Sequence, residues 1–113
     1  MSSTHYHLIV YVPLTHAEAV REALARAGAG KIGQYDSCSF SCRGTGRFRP
    51  LEGASPAIGR AGMLEEVREE RIETVVPSDA SLEEILRAVK DAHPYEEPAI
   101  HLLPMTNYKE FLQ

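Results

Sequence analysis

His93-Pro94-Tyr95-Glu96-Glu97-Pro98 is the stretch on which the fold turns. An apolar helical pattern stops at it, and the last apolar run, Ala99 to Leu103, starts from it. Pro94 pushes His93 out of the helical region, so the helix is expected to end there. Pro98 does the same to Glu97, and proline is tolerated at the first residue of a strand. The six residues therefore read as a stiff corner between a helix and a strand.

Working outward from that corner, Ser81 and Glu84 have the spacing of a capping box. Leu82, Ile85, Leu86 and Val89 then make the apolar stripe of a helix that runs to His93. Downstream, Ala99 to Leu103 is the final strand, closed by Pro104. The tail from Tyr108 to Gln113 carries apolar residues at Tyr108, Phe111 and Leu112, to fold back or to dock on another subunit. Upstream, Leu64, Val67, Ile72, Val75 and Val76 lead to Pro77. Their β-branched content predicts a strand over the second half, while the charged cluster Glu65 to Arg71 also suits a helical turn.

Gln34 to Cys42 alternates, with Cys38, Phe40 and Cys42 on one side and Ser37, Ser39 and Ser41 on the other, and predicts a strand. Gly44 to Gly62 follows, with five glycines, two prolines and no periodicity. So long an irregular stretch is usually functional or mobile. Nearer the start, Thr15 and Glu18 form a second capping-box pattern. Ala17, Val20, Leu24 and Ala27 recur at helical spacing, and Gly28 and Gly30 supply the exit. His7 to Val12 is a short β-prone run ended by Pro13, expected at the centre of a sheet.

The order strand, helix, strand, strand, helix, strand predicts an α+β fold, a ferredoxin-like βαββαβ unit. It is a four-stranded antiparallel sheet with both helices on one face, in a single domain over 1–113. The uncovered face carries the apolar set Cys38, Phe40 and Cys42, for which oligomerisation is the simple cover.

Composition narrows the function classes. Twelve basic against sixteen acidic side chains give a net charge of -4. That argues against general binding to nucleic acid or a membrane surface. No apolar run is long enough to span a bilayer. Met1 to His5 has neither the basic nor the apolar region of a signal peptide, so a cytoplasmic location is expected. The two cysteines are then expected to be reduced rather than bridged.

Five stretches resemble a known family when taken together. They are Gly28-Ala29-Gly30-Lys31-Ile32-Gly33-Gln34-Tyr35, Cys38-Ser39-Phe40, the run Gly44 to Pro56, Arg71-Ile72-Glu73-Thr74-Val75-Val76-Pro77, and the corner itself with Ala99. In this order they are similar to the YqfO-like domain. That domain is inserted in many bacterial members of the Nif-like (NGG-interacting-factor) dinuclear-metal family, and it also occurs alone. The His-Pro-Tyr-Glu-x-Pro corner also resembles the CutA family, trimeric ferredoxin-like proteins related in shape to the PII signalling proteins. The resemblance implies a CutA/PII-like fold and trimer-type assembly. It implies no metal ligands for this chain, because the full-length relatives carry their paired ions in flanking halves that have no matching positions here.

The glycine-rich segment offers chemistry of its own. Arg43, Arg47, Arg49 and Arg60 face a single acid, Glu52, so a local charge of +3 sits in an acidic chain. Glycine-freed amides and guanidinium forks suit a phosphate or carboxylate. The resemblance adds that PII-like proteins place a ligand-responsive loop at this point between strands. The same arginines would equally meet acids of a neighbouring subunit. In the corner, adjacent Glu96 and Glu97 are expected to point to opposite sides, so they make no carboxylate pair. Tyr95 is expected to pack, and one glutamate to accept backbone hydrogen bonds. His5 and His7 alternate on one strand face, with His101 on a neighbouring strand. With His93 they are the candidate metal ligands, although their spacing matches no closed zinc pattern. No activated thiolate or Gly-x-Ser-x-Gly elbow appears.

The resulting expectation is a non-enzymatic homo-oligomer that binds a small anionic ligand or a protein partner through loop 43–62. Arg43, Gly44, Gly46, Arg47, Arg49 and Glu52 would contribute from the loop, and Tyr95 and Glu97 from the corner. No cofactor is expected. The alternative is a divalent-metal tolerance protein of CutA type.

Overall fold

The computed structural model describes residues 4–112. Met1 to Ser3, read above for an export signal, and Gln113 of the tail lie outside the described residues. The elements are β1 (His5–Pro13), a 3-10 turn (Leu14–His16), α1 (Ala17–Ala27), β2 (Phe40–Phe48), β3 (Glu65–Val76), α2 (Leu82–Ala92), β4 (Ile100–Met105) and a second 3-10 turn (Tyr108–Phe111). The four strands form one antiparallel sheet in the order β2-β3-β1-β4. This is the ferredoxin-like arrangement that the order of elements predicts.

Strand periodicity decides where the core lies. Leu8, Val10 and Val12 of β1 point to one face, with Ile72 and Val76 of β3 beside them. Val20 and Leu24 of α1 and Ile85 and Val89 of α2 close over the same face, so both helices share it. Leu8, Val10, Val12, Val20, Ile72, Ile85 and Val89 are fully buried. This aliphatic layer is what a chain without tryptophan has available. Among the described residues, no helix is long and apolar enough to cross a membrane.

Helix ends follow local chemistry, with one exception. Ser81 Oγ accepts the Glu84 backbone N–H at 3.3 Å, as its spacing predicts. Gly28, in the left-handed region at φ 109°, terminates α1. Thr15, however, does not cap α1. It lies in the 3-10 turn and meets His16 Nδ1 at 2.8 Å, while His16 occupies the cap position and its side chain caps no helix N–H. Pro13 delivers the chain in a tight turn, which moves the helix start past Thr15.

The second strand differs most from expectation. Residues 34–39 are not strand, and β2 instead runs from Phe40 through Arg43-Gly44-Thr45-Gly46-Arg47 to Phe48. The irregular stretch is correspondingly shorter, from 49 to 64. β3 is the reason. All twelve residues, Glu65–Val76, are extended, including the charged cluster that also suited a helical turn. β2 pairs with it from Phe40↔Glu73 to Phe48↔Glu65. Nine ladder positions and opposed charges outweigh the poor strand propensity of glycine. At the edges, β1 starts at His5, and β4 continues through Pro104 to Met105 because an edge strand needs no donor on its outer side.

The face away from the helices is mixed rather than apolar. Phe40 is 66% exposed and Cys42 is exposed, whereas Cys38 lies outside the strand. His7, Glu69, Arg71 and Glu73 share this face by register. Both thiols are free. The chain is elongated, 54 × 26 × 23 Å.

Candidate functional site

The corner is built on His93. Pro94 forces it into an extended conformation (φ -87°, ψ 135°) at the end of α2, and its imidazole is buried. Nε2 lies 2.6 Å from the Tyr11 carbonyl oxygen, and Nδ1 lies 3.1 Å from the Tyr95 backbone nitrogen. One tautomer satisfies both contacts: Nε2–H donates to Tyr11, and bare Nδ1 accepts from Tyr95. A second ring proton would collide with the Tyr95 N–H. Burial lowers the His93 pKa, against an upward pull from the Tyr11 carbonyl and from Glu69. His93 is thus a neutral bracket that ties the corner to β1.

Tyr95 then reaches back over the sheet. Its ring packs against Phe48 at 5.6 Å and His93 at 5.1 Å between centroids. Its hydroxyl donates to Glu69 Oε2 at 2.9 Å. Burial and the adjacent carboxylate raise the phenol above its ordinary value, so it remains a donor. Glu69 itself is only 9% exposed. Gly46 gives it room: a Cβ there would collide with the Glu69 carboxylate. Among the described residues, Glu69 is paired with no cation.

The segment after β2 folds over this platform. Ser55 N–H donates to Glu96 Oε1 at 3.0 Å, fastening the loop to the corner, and Lys90 Nζ lies 3.5 Å from the Glu96 carbonyl oxygen. A half-open cavity of about 500 Å³ lies between loop, corner and sheet. Phe48, Pro50, Leu51, Pro56 and Ile58 supply apolar wall, and Tyr11 and Glu69 the floor. Its size is that of an ordinary small-molecule site.

The residues anticipated from sequence divide between two places. Arg47, Arg49, Tyr95 and Glu97 line the cavity. Arg47 is occupied by Glu66, Nε to Oε2 2.7 Å, while Arg49 has no ion pair among the described residues. Arg43, Gly44 and Gly46 line a neighbouring cleft of about 250 Å³ with Arg71, whose buried Nε has no hydrogen-bond partner among the described residues. Glu52 is exposed and lines neither space. Glu96 and Glu97 both reach the main cavity, contrary to the expectation for an extended segment, because the chain bends over residues 95–97. Glu69 and the apolar wall were not anticipated. The available signal for Glu69 was an acid opposite Gly44, with Gly46 two residues on, where missing side chains leave space.

The histidines do not converge. His5, His7 and His101 do share one sheet face by register. His7 Nε2 is 2.8 Å from Glu73 Oε1, His5 Nε2 is 3.5 Å from the Asn107 side-chain nitrogen, and His101 stands edge-on to Tyr11. His93 is buried against backbone, away from them. Among the described residues, no group of three or more His, Cys, Asp or Glu side chains gathers as a metal site.

Known proteins resemble the chain over most of its length. No family model matches the chain. A GTP cyclohydrolase 1 type 2 homolog of Halalkalibacterium halodurans is 50% identical over 107 residues, which are 95% of this chain and 28% of the relative. A Bacillus cereus protein related to NIF3 superposes with a TM-score of 0.80 at 45% identity, covering 95% of this chain and 27% of that one. Two structures share the fold at low identity. CutA from Archaeoglobus fulgidus, a divalent cation tolerance protein, has a TM-score of 0.66 at 22% identity and covers 96% of this chain and 91% of its own. The Bacillus subtilis GlnK–ATP complex has 0.60 at 10%, covering 93% and 86%. The chain spans about a quarter of the length of the curated relatives it matches. It is therefore a homologue of the CutA/PII-like segment carried within the NIF3-related GTP cyclohydrolase 1 type 2 homologs.

Proposed function

We propose that this chain is a non-catalytic ligand-binding module that works as a homo-oligomer. Its site is the cavity between the loop after β2 and the His-Pro-Tyr-Glu-Glu-Pro corner. The observation that carries the reading is the cavity itself: about 500 Å³, apolar-walled, with its loop tied to the corner by the Ser55–Glu96 hydrogen bond. Arg49, at its lining and free of an ion pair among the described residues, is the group that meets an anionic part of the ligand.

A holding rather than catalytic role is supported by how the polar groups are used. Both His93 nitrogens are committed to backbone, and the Tyr95 hydroxyl to Glu69. Self-association is supported by Phe40, Leu103 and Met105 on the open sheet face and by exposed Tyr108, Phe111 and Leu112 beyond it. The relatives' name and the GlnK–ATP complex make GTP and ATP natural first probes.

Native mass spectrometry of gently purified protein, followed by calorimetric titration with GTP, ATP and small carboxylates, tests the reading. An oligomer that binds one of these, with binding weakened in Arg49→Ala and folding intact, supports it. A monomer with no heat for any probe overturns it.

A further inference from the structure

The cavity carries more information than a free arginine. Glu69 is a carboxylate at its floor, nine-tenths buried, whose hydrogen-bond donor is a neutral phenol and which no cation balances among the described residues. A buried charge without a partner is costly, and the cost disappears when a cation arrives. Glu97 lines the same space and, like Glu69, has no ion pair among the described residues. Arg47 is paired with Glu66, and Arg49 is the cation of the lining without an ion pair among the described residues. Between these opposite charges the wall is apolar: Phe48, Leu51, Pro56 and Ile58.

We infer that the site takes a small apolar zwitterion of the α-amino acid class. The ligand's ammonium is received by Glu69 and Glu97, its carboxylate by Arg49, and its side chain by the apolar wall. Tyr95 acts as a positioning residue: its hydroxyl holds Glu69 Oε2 at 2.9 Å, and so fixes the carboxylate at the boundary between the cavity and the neighbouring cleft, which Glu69 also lines with Arg43, Gly46 and Arg71. The inference rests on the cavity being a ligand site and adds the charge pattern of what enters it.

Isosteres separate the two. The full chain is titrated with L-phenylalanine, with 3-phenylpropionate, which lacks the ammonium, and with phenethylamine, which lacks the carboxylate. The expected result is that L-phenylalanine binds about tenfold or more tighter than either, since each charge-assisted contact is worth about that factor. Glu69→Gln, which keeps an acceptor for Tyr95, is expected to erase the advantage over 3-phenylpropionate and leave the latter unchanged. Glu97→Gln gives a smaller loss of the same kind. If Glu69→Gln does not fold, the three wild-type affinities decide alone. Equal binding of L-phenylalanine and 3-phenylpropionate overturns the inference and leaves an anion site standing. Equal binding of L-phenylalanine and phenethylamine overturns the role of Arg49. Absence of binding by all three overturns the inference, and the ligand-site reading falls as well only if GTP, ATP and small carboxylates also fail.

Discussion

The two ends of β3 are held in different ways. Its second half, around Ile72 and Val76, lies under both helices and is stabilised by close-packed aliphatic side chains. Its first half, paired with β2, adds no residue to that aliphatic layer: Arg68, Glu66 and Arg47 are exposed, and the buried groups are the carboxylates of Glu69 and Glu70, the latter held by Arg21 of α1. At the covered end, burial of apolar area supplies stability with little demand on orientation. At the opposite end, order depends on directed contacts: His93 to Tyr11, Tyr95 to Glu69, and Glu96 to Ser55. A fold can be robust at one end and adjustable at the other, and the cavity lies at the adjustable end.

The sharpest break of that contrast is Ile72→Ala. It removes a fully buried side chain from the helix-covered layer and is expected to cost about 2–5 kcal/mol of global stability in urea unfolding. Any ligand affinity of the protein that remains folded should be unchanged. His93→Ala comes next. The Tyr11 carbonyl and the Tyr95 N–H both lose a partner, for a cost of about 2–4 kcal/mol, and the corner should loosen with them.

His93 also has a pH signature. Its folded pKa lies below the ordinary histidine value, so between the two the unfolded chain binds the extra proton. Stability is therefore full above the ordinary value and declines as pH falls below it, towards the folded pKa. The urea midpoint should drop between about pH 7.5 and about pH 5.5, and the drop should shrink in His93→Gln. An unchanged slope in that variant would remove His93 as the cause.

Gly46→Ala sharpens the comparison from the other side. The new methyl group meets the Glu69 carboxylate, so the expected stability loss is modest, about 1–3 kcal/mol, while the Tyr95–Glu69 hydrogen bond is lost. A variant as stable as wild type, with its tyrosine spectrum unaltered, would mean that the platform tolerates the crowding. The smallest effect belongs to Glu96→Ala. Global stability should change by less than about 1 kcal/mol, because the Ser55 contact is exposed. Tryptic cleavage after Arg60 should nevertheless accelerate as the loop is released.

Much of the covered end is legible in residues. The Ser81 cap, the stripe from Leu82 to Val89, the stop at Pro94 and the run from His7 to Val12 are local patterns, and each appears where its chemistry places it. The opposite end is less so. The path of β2 through Gly44 and Gly46 follows from pairing with β3, a partner more than a loop away, and single-strand alternation carries no register. The loop and corner were legible as the place to look, because arginines, glycines and prolines gather there. Their mutual seating was not, since the bend at residues 95–97 that turns both Glu96 and Glu97 to the cavity has no periodic signature. Glu69 reads in sequence as one more charge in an acidic run, and only its position beneath Tyr95 makes it the floor of a cavity.

The strand order has a consequence for synthesis. β1 sits inside the sheet, yet its ladder partners arrive last: Tyr6 pairs with Val76, and His5 with Met105. On the ribosome, the most apolar strand therefore waits unpaired while α1 and the β2–β3 hairpin form from neighbouring residues. The sheet cannot close around β1 until β4 has emerged, so folding is completed only after the His-Pro-Tyr-Glu-Glu-Pro corner has been translated.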